Sequence, residues 1–346
     1  MVDAEINICY YISMNYLIVD TANTFFRARH AAHRASSLEE KVGFAIHVTL
    51  ASIYKAWRDQ KADHVVICLE GRSWRKDFYT PYKANRAVAR AALTEAQQEE
   101  DTAFWAAFDD LKTFFIEKSN CTVLQHKELE ADDLIAGWIQ SHRDDHHTIV
   151  SSDTDFYQLL ADNVNQYNGI SDELHTLKGI LDKRGKLVID KKTKEPKVIP
   201  DPKWILFEKC MRGDPTDNVF SAYPGVRTKG SSKKVGLEEA FADKDKKGYS
   251  WNNLMLQRWT DHNGDEHRVL DDYERNVKLV DLTAQPDDIK VKIAECIADN
   301  SIPKDIPQVG VKFMKFCGKH QLVKIGEQAQ NYAEFLTAPY PEVVTV

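Results

Sequence analysis

Residues 130–133, Glu-Ala-Asp-Asp, place three carboxylic acids within four positions. They open a segment with helical periodicity that continues through Leu134 and Ile135, so Glu130 and Asp133 are neighbours on one helix surface, with Asp132 beside them. Carboxylates this close repel one another unless they are well solvated or a cation lies between them. A solvated helix start, where the helix dipole favours acids, explains these residues in isolation. Further acids elsewhere in the chain favour the second explanation, in which these carboxylates bind a cation.

Three short apolar runs each end in an acid, the pattern of buried parallel strands. They are residues 16–20, 65–70 and 148–153, and their acids are Asp20, Glu70 and Asp153. Helical patterns near 38–59, 101–118 and 131–142 lie between them. Strands that alternate with helices predict an α/β fold with a mixed, mainly parallel twisted sheet and helices on both faces. Ligands gather at the carboxyl ends of parallel strands, where all three acids fall.

Further acids follow these strands. Asp155 comes two residues after Asp153, and a predicted helix over 202–212 ends at a turn that contains Asp214 and Asp217. The complete set has nine members: Asp20, Glu70, Glu130, Asp132, Asp133, Asp153, Asp155, Asp214 and Asp217. Oxygen ligands without His or Cys select hard cations such as magnesium or manganese. So many carboxylates suit two metal ions, about 3.5–4 Å apart, that assist phosphoryl transfer.

Composition limits the class of protein. The chain has 346 residues, 43% of them hydrophobic and 29% charged, which is typical of a soluble protein of one large or two smaller domains. No apolar run reaches the length of a membrane span, and residues 1–11 lack a basic signal-peptide start. The six cysteines form no CxxC pair, which indicates buried thiols in a reducing cytoplasm.

The formal charge of −7 conceals two basic segments. Residues 70–92 contain six bases and residues 183–197 contain seven, against two acids in each segment. The turn-rich stretch 182–202 predicts an exposed hairpin, which is either a solvated loop or a phosphate-contacting one. Net charge is therefore a poor guide to whether the partner is anionic.

Five motifs in order resemble the 5′-nuclease (flap endonuclease) superfamily. They are Leu-Ile-Val-Asp (17–20), Val-Ile-Cys-Leu-Glu (66–70), Glu-Ala-Asp-Asp (130–133), Ser-Ser-Asp-Thr-Asp-Phe (151–156) and Gly-Asp-Pro-Thr-Asp-Asn (213–218). Residues 74–78 and 82–86 are most similar to the phage ribonuclease H branch. The resemblance covers about residues 16–225. It implies a PIN-like nuclease core over 1–222 with a helical arch near 80–103, and a mostly helical DNA-binding region over 223–346.

The resemblance also implies roles for the acids. Asp20, Glu70, Glu130 and Asp132 would serve one of two magnesium ions, for which manganese would substitute. Asp153, Asp155, Asp214 and Asp217 would serve the other, with Asp133 acting through water. The catalytic residues Lys83 and Arg86 would hold the scissile phosphate at the base of the arch. Glu70 stands where the family usually has Asp, and its longer side chain makes direct coordination less secure.

A further set of residues is predicted to bind nucleic acid: Arg72, Arg75, Lys76, Tyr82, Arg90, Arg227, Lys229, Lys233 and Lys234. Tyr82 would stack on an unpaired base, since stacking tolerates any sequence. The last four lie in residues 223–236, which occupy the place of the family's helix-hairpin-helix. Pro224-Gly225-Val226 fits that motif, but its second Gly-Ile-Gly half is missing, so the motif is degenerate.

The predicted function is a structure-specific 5′-to-3′ exonuclease and flap endonuclease acting on DNA flaps and RNA–DNA hybrids. The setting would be RNA primer removal in phage replication, by a monomer in the cytoplasm of the infected bacterium, with a single-strand-binding protein or sliding clamp as partner and no membrane. Two alternatives stay open: a non-catalytic junction-binding protein of the same fold, and a PIN-like single-strand ribonuclease. The complete acid set argues against the first, and the basic segment 72–90 against the second.

Overall fold

A seven-stranded sheet forms the centre of the protein, whose computed structural model describes residues 13–31, 37–231 and 234–341. Its strands are β1 (Asn15–Asp20), β2 (His64–Leu69), β3 (Thr122–Gln125), β4 (His146–Val150), β5 (Val164–Asn168), β6 (Glu173–Thr176) and β7 (Gly179–Leu181). Their order is β3-β2-β1-β4-β5-β6-β7. The first five are parallel, and β6 and β7 are antiparallel additions. The predicted mixed, mainly parallel sheet is confirmed.

Helices make up most of the remaining structure. They are α1 (Thr21–Ala31), α2 (Leu38–Gln60), α3 (Arg75–Phe78), α4 (Ala84–Ala91), α5 (Glu95–Lys118), α6 (Ala131–Ser141), α7 (Pro202–Arg212), α8 (Leu237–Ala242), α9 (Tyr249–Met255), α10 (Val269–Val280), α11 (Asp287–Asn300), α12 (Val309–Lys319), α13 (Val323–Gly326) and α14 (Ala329–Thr337). A 3₁₀ helix covers Thr154–Leu159, and strands β8 (Arg258–Thr260) and β9 (Glu266–Arg268) form a small hairpin.

The central strands are buried on both faces because their apolar runs are continuous. Every residue of β2 is buried, as are residues 16–20 of β1. Local signals set the helix ends: the Ser37 hydroxyl accepts a hydrogen bond from the backbone of Glu40 at 3.1 Å, and Asp201 caps α7 before a proline at its first turn. Helix α7 has the predicted bounds.

Two hydrophobic clusters cover the two sheet faces. Helices α1, α2, α5, α12 and α14 pack on one face, where Phe313 and Phe335 share a cluster with Leu17. Helices α6 and α11 cover the other face, where Ile293 packs with Trp138. A third cluster joins α7 to α10 and includes Tyr82. Packing therefore crosses residue 222, because the last helices complete the core of the sheet.

Two features bear on the remaining predictions. In the predicted arch, helix α4 is exposed along its whole length, and α5 begins at Glu95 with a capping box from Thr94. Within the described ranges, none of the helices combines the length and apolar character that a membrane span needs.

Candidate active site

The predicted acids gather at the carboxyl edge of the sheet because the strands that carry them are neighbours. Asp20 ends β1, which lies between β2 and β4, and Glu70 follows β2 directly. Glu130 caps the N-terminus of α6, and Asp153 caps the 3₁₀ helix after β4. Topology thus brings four segments of the chain to one edge.

Asp20, Glu70 and Asp132 form the group with the strongest mutual repulsion. Burial, and then the charge of Asp153, raises the pKa of Asp20 to about 6, although Asn23 and Ser151 donate hydrogen bonds to it. Glu70 is exposed at the surface, but protein atoms surround its carboxylate. This desolvation, together with the nearby charges of Glu130 and Asp20, raises the pKa of Glu70 to about 7. Burial and the charges of Asp20 and Glu70 raise the pKa of Asp132. A cation placed here would relieve this repulsion.

Glu130, in contrast, is neutralised by cations of the chain itself. It accepts hydrogen bonds from Lys83 at 2.5 Å, Arg75 at 2.9 Å and Ser73 at 2.5 Å. Burial opposes the charged form, but the two cations outweigh it and hold the pKa of Glu130 at about 2. Glu130 therefore stays ionised without a metal ion.

Arg75 and Asp133 are corrections to the sequence-based assignment. Arg75 is 1% exposed, and its guanidinium donates to both oxygens of Asp133, at 2.8 and 3.0 Å. Trp74 and Gln285 also donate to that carboxylate, at 3.2 and 3.3 Å. The prediction that Arg75 contacts nucleic acid is wrong, because it is an internal counter-ion. Asp133 is fully buried with both oxygens occupied, so its predicted place among the metal-binding acids is wrong too.

Tyr82 is a third correction. Only 4% of the residue is exposed, and its ring belongs to the hydrophobic cluster between α7 and α10. Its hydroxyl oxygen lies 3.2 Å from a carboxylate oxygen of Glu130 and 3.0 Å from one of Asp217, so its single proton can be donated to either acid. The predicted stacking on an unpaired base is wrong, because no face of the ring is free. Tyr82 instead links two acids of the site.

Lys83 and Arg86 lie beside the acids at the start of α4. Lys83 takes a left-handed conformation with φ 53°, and its backbone donates to the carbonyl of Asp217 at 2.8 Å. Its ammonium reaches Glu130, while Arg86 donates to the Asp217 carboxylate at 2.7 Å and is half exposed. Both cations therefore face the acid edge, where an incoming phosphate would meet them.

A second group of acids surrounds a lysine that the sequence reasoning missed. Lys209 of α7 contacts Asp155 and, at 2.9 Å, Asp214. Burial opposes charge on Asp214, yet Lys209 lowers its pKa, whereas burial and the charge of Asp153 leave the pKa of Asp155 raised to about 6. The available signal was position, since Lys209 precedes Asp214 by five residues and lies in the last turn of a predicted helix.

The turn that carries Asp214 and Asp217 depends on Gly213. This glycine has φ 77°, and a Cβ atom would lie 2.3 Å from the carbonyl oxygen of Val219. The Asp214 carboxylate then accepts from the backbone of Thr216 at 2.8 Å and fixes the turn. The sequence Gly-Asp-Pro-Thr-Asp therefore forms a tight turn that holds Asp214 and Asp217 at the site.

The donor chemistry fits a hard divalent cation, but the side chains do not yet form a coordination sphere. All the converging groups are carboxylates, which suit magnesium or manganese. In the described part of the chain, no three His, Cys, Asp or Glu side chains stand in an arrangement that could hold a metal ion. Lys83 and Lys209 lie between the acids instead. A metal ion bound by Glu130 or Asp214 would therefore compete with the lysine that contacts that carboxylate.

The remaining predicted nucleic-acid residues lie at the surface. Arg72, Lys76 and Arg90 are exposed, and Arg72 pairs with Asp77. Arg227 and Lys234 line an open cavity of about 550 Å³ between α9 and the described residues of the preceding loop, 223–231 and 234–235, and Lys229 is exposed nearby. Lys233 lies outside the described residues.

The fold and the site together define an α/β protein with an acid-rich carboxyl edge. Residues 15–186 match the family model "5′-3′ exonuclease, N-terminal resolvase-like domain", about half of the chain, and through this domain the chain belongs to the 5′-3′ exonuclease family. The predicted resemblance to the 5′-nuclease superfamily is confirmed.

The chain is also similar to individual proteins in sequence and in fold. The chain is 26% identical over 240 residues to DNA polymerase I of Rhizobium leguminosarum, which covers 66% of this chain but 21% of the polymerase. It is 27% identical over 255 residues to ribonuclease H of Enterobacteria phage T4, which covers 69% of this chain and 71% of the relative. A flap endonuclease of bacteriophage T5, solved as a pseudo-enzyme-product complex with DNA and metal ions, has the same fold. The TM-score is 0.53 at 19% identity, covering 92% of this chain and 99% of that one.

Proposed function

We propose that this chain is a divalent-metal-dependent 5′ nuclease that acts as a 5′-to-3′ exonuclease and flap endonuclease on DNA flaps and RNA–DNA hybrids. The observation that carries the proposal is the group Asp20, Glu70 and Asp132 at the carboxyl edge, with raised pKa values and with Lys83 and Arg86 close by. Acids that lie close together and repel one another are costly to fold, so a site that keeps them has a use for a cation.

Two magnesium ions, with manganese as a substitute, would supply Lewis-acid stabilisation of the charge that develops during phosphodiester hydrolysis. Asp20, Glu70, Glu130 and Asp132 would hold one ion, and Asp153, Asp155, Asp214 and Asp217 the other. Glu130 and Asp214 are already ionised through their lysine partners, so each would act as a ligand once its lysine moves.

Lys83 and Arg86 would position the scissile phosphate. Both cations now contact carboxylates, Glu130 and Asp217. A phosphate that enters the edge offers them oxygen acceptors of the same kind, and metal binding by the acids would release them for this exchange. Lys83 would then stabilise charge on the phosphate, and the more exposed Arg86 would orient it.

The relatives support the substrate class. The phage T4 protein is named for ribonuclease H activity, and the T5 protein is a flap endonuclease solved with DNA and metal ions. By analogy, the proposal includes primer removal in phage replication in the cytoplasm of the host, a monomeric enzyme, and a single-strand-binding protein or sliding clamp as partner. It also keeps residues 1–222 as the nuclease core and 223–346 as the DNA-binding region.

Cleavage of a 5′-labelled flap in magnesium tests this proposal. Asp132→Asn should reduce the cleavage rate by about 100-fold or more, because it removes one of the charges that a cation needs. Asp162→Asn is the matched control, since Asp162 is exposed in the turn before β5. Cleavage at the normal rate by Asp132→Asn would contradict the proposal that this chain is a metal-dependent 5′ nuclease. Junction binding without cleavage would favour the non-catalytic alternative, and a preference for single-stranded RNA would favour the ribonuclease.

A further inference from the structure

The basic segment near residue 190 is a structured extension of the sheet. Beyond β7 the chain folds into a two-turn hairpin, residues 182–198, which we call the basic hairpin. The backbone of Val188 donates to Ile180 at 2.8 Å, and that of Ile180 donates to Lys197 at 3.0 Å. These ladder bonds fix the hairpin to the edge of the sheet. The exposed hairpin that the sequence predicts over 182–202 is therefore present and attached to the sheet.

The two acids that begin the turns accept hydrogen bonds from the backbone, and Asp182 also pairs with the guanidinium of Arg184 at 3.2 Å. The carboxylate of Asp182 accepts from the backbone of Arg184 at 2.8 Å and of Lys186 at 3.0 Å. The carboxylate of Asp190 accepts from the backbone of Lys192 at 2.7 Å. Across the described ranges, the lysines of both turns form no ion pair; these are Lys183, Lys186, Lys191, Lys192 and Lys194. All of them are exposed, so the hairpin presents concentrated positive charge to solvent.

Register places the first turn on the same edge as the acids. One row of paired residues runs from Val19 through Val150, Tyr167 and Leu174 to Leu181. The residue after Val19 is Asp20, and the residue after Leu181 is Asp182, which opens the first turn. The row crosses four strand spacings, about 19 Å at 4.8 Å each. That distance corresponds to about five or six base pairs of B-form DNA at 3.4 Å per pair.

The second turn lies elsewhere. After the first turn, residues 187–189 run antiparallel to β7, so they carry Lys191, Lys192 and Lys194 away from the carboxyl edge by about 10 Å of extended chain. The hairpin therefore contains two clusters of three bases with the same charge and similar exposure, but only the first shares the edge with Asp20 and Lys83.

We propose that the first turn of the basic hairpin, with Lys183, Arg184 and Lys186, contacts backbone phosphates of duplex DNA about five or six base pairs from the scissile phosphate. This inference rests on the proposed function, because that function places the scissile phosphate at the acid edge. Contacts to phosphates anchor the duplex without reading its sequence. The turn would thus favour substrates whose duplex arm is long enough to reach it.

Binding without cleavage tests this contact separately from catalysis. The test variant combines Lys183→Ala, Arg184→Ala and Lys186→Ala, and the matched control combines Lys191→Ala, Lys192→Ala and Lys194→Ala. Affinity for a flap substrate with duplex arms of about 12 base pairs is measured in EDTA over a range of salt concentrations. The test variant should bind about 10- to 100-fold more weakly. The negative slope of log affinity against log salt should become less steep by about two to three. The control should change affinity less than about threefold.

Three outcomes would overturn the proposal. Equal losses in both variants would mean that only overall charge matters, and an unchanged test variant would mean that the first turn makes no contact. Normal DNA binding with lost affinity for a polyglutamate peptide would assign the turn to an acidic protein partner instead. Shortening both duplex arms to about four base pairs should remove the difference between the variants. Binding in EDTA is measured without cleavage, so a failure of this contact can be distinguished from a failure of the Asp132→Asn cleavage test.

Discussion

Two arginines three positions apart have opposite environments. Arg72 is exposed and pairs with Asp77, whereas Arg75 is buried against Glu130 and Asp133 and also donates to the carbonyl of Leu279 at 2.9 Å. Sequence alone treats both as members of one basic segment, because burial is decided by tertiary packing. The same limit explains Tyr82, whose aromatic ring indicates stacking in sequence but is buried in the fold.

Arg75→Ala should lower the free energy of unfolding by about 3–5 kcal/mol, since it leaves the buried Asp133 without a counter-ion and Glu130 with Lys83 alone. Arg72→Ala, the control, should cost less than about 1 kcal/mol, because its ion pair is exposed to water. Urea denaturation measures both. Similar small losses for the two variants would show that Arg75 is not the internal counter-ion described above.

For Lys83 we expect an effect on the cleavage rate more than on substrate binding. Lys83→Ala should reduce the rate of the chemical step by about 100-fold while weakening flap binding less than about tenfold, since its ammonium would act on charge that grows during the reaction. Single-turnover cleavage and binding in EDTA separate the two effects. Lys118→Ala, at an exposed helix end, should change neither. An equal loss of rate and affinity would place Lys83 in general phosphate binding.

At the scale of elements, the helix that carries Glu130 and Asp132 is held by a close helix contact. A Cβ atom on Gly137 of α6 would lie 2.2 Å from Cγ2 of Ile293 in α11. Gly137 therefore allows α6 to approach α11 and sets the position of its acidic N-terminus. Nothing in the sequence indicated this contact, because the two helices are separated by about 150 residues.

Gly137→Ala should lower the free energy of unfolding by about 1–3 kcal/mol through overpacking, despite the better helix propensity of alanine. Gly310→Ala in α12 is the control, because its Cβ atom would lie 3.5 Å from Ala333, an ordinary contact. Thermal or urea unfolding compares the two variants. A stable Gly137→Ala protein would mean that α6 and α11 can separate without cost.

Elements were predictable where local patterns were strong. The strands β1, β2 and β4 were readable as apolar runs that end in acids, and α7 from its proline start and glycine end. Strand β3 was missed because Thr122–Gln125 is only four residues long and polar at both ends. The hairpin of β6 and β7 and the pairing of the basic hairpin depend on the sheet edge, which no local pattern describes.

Across the whole molecule, the C-terminal helices pack against the central sheet. A histidine of the sheet, His64, contacts the backbone at the end of the last helix. His64 at the start of β2 is fully buried. Its Nε2 accepts from the backbone of Thr122 at 3.2 Å, so its Nδ1 donates to the carbonyl of Ala338 at 3.1 Å. Protonation of Nε2 would remove this acceptor. Burial lowers the pKa of His64 to about 4.

This shift predicts acid sensitivity. Between about pH 6.5 and pH 4 the unfolded chain binds a proton at His64 that the folded chain does not, so stability is complete above pH 6.5 and falls as the pH falls. The loss approaches about 3 kcal/mol for the full shift. His64→Gln should flatten the dependence of unfolding free energy on pH in this range, whereas His146→Gln, an exposed control, should not. An unchanged slope in His64→Gln would contradict the assignment.

The positions of bound metal ions would show directly whether the acids at the carboxyl edge form a metal site. Crystals soaked in manganese, with anomalous diffraction to locate the ions, would show which acids coordinate metal. We expect two ions at the carboxyl edge, one near Asp20 and Asp132 and one near Asp153 and Asp155. Lys83 and Lys209 should be displaced from their acid partners, and Asp133 should still be bound to Arg75. Crystals that take up no manganese at this edge, with both lysines in place, would contradict this expectation.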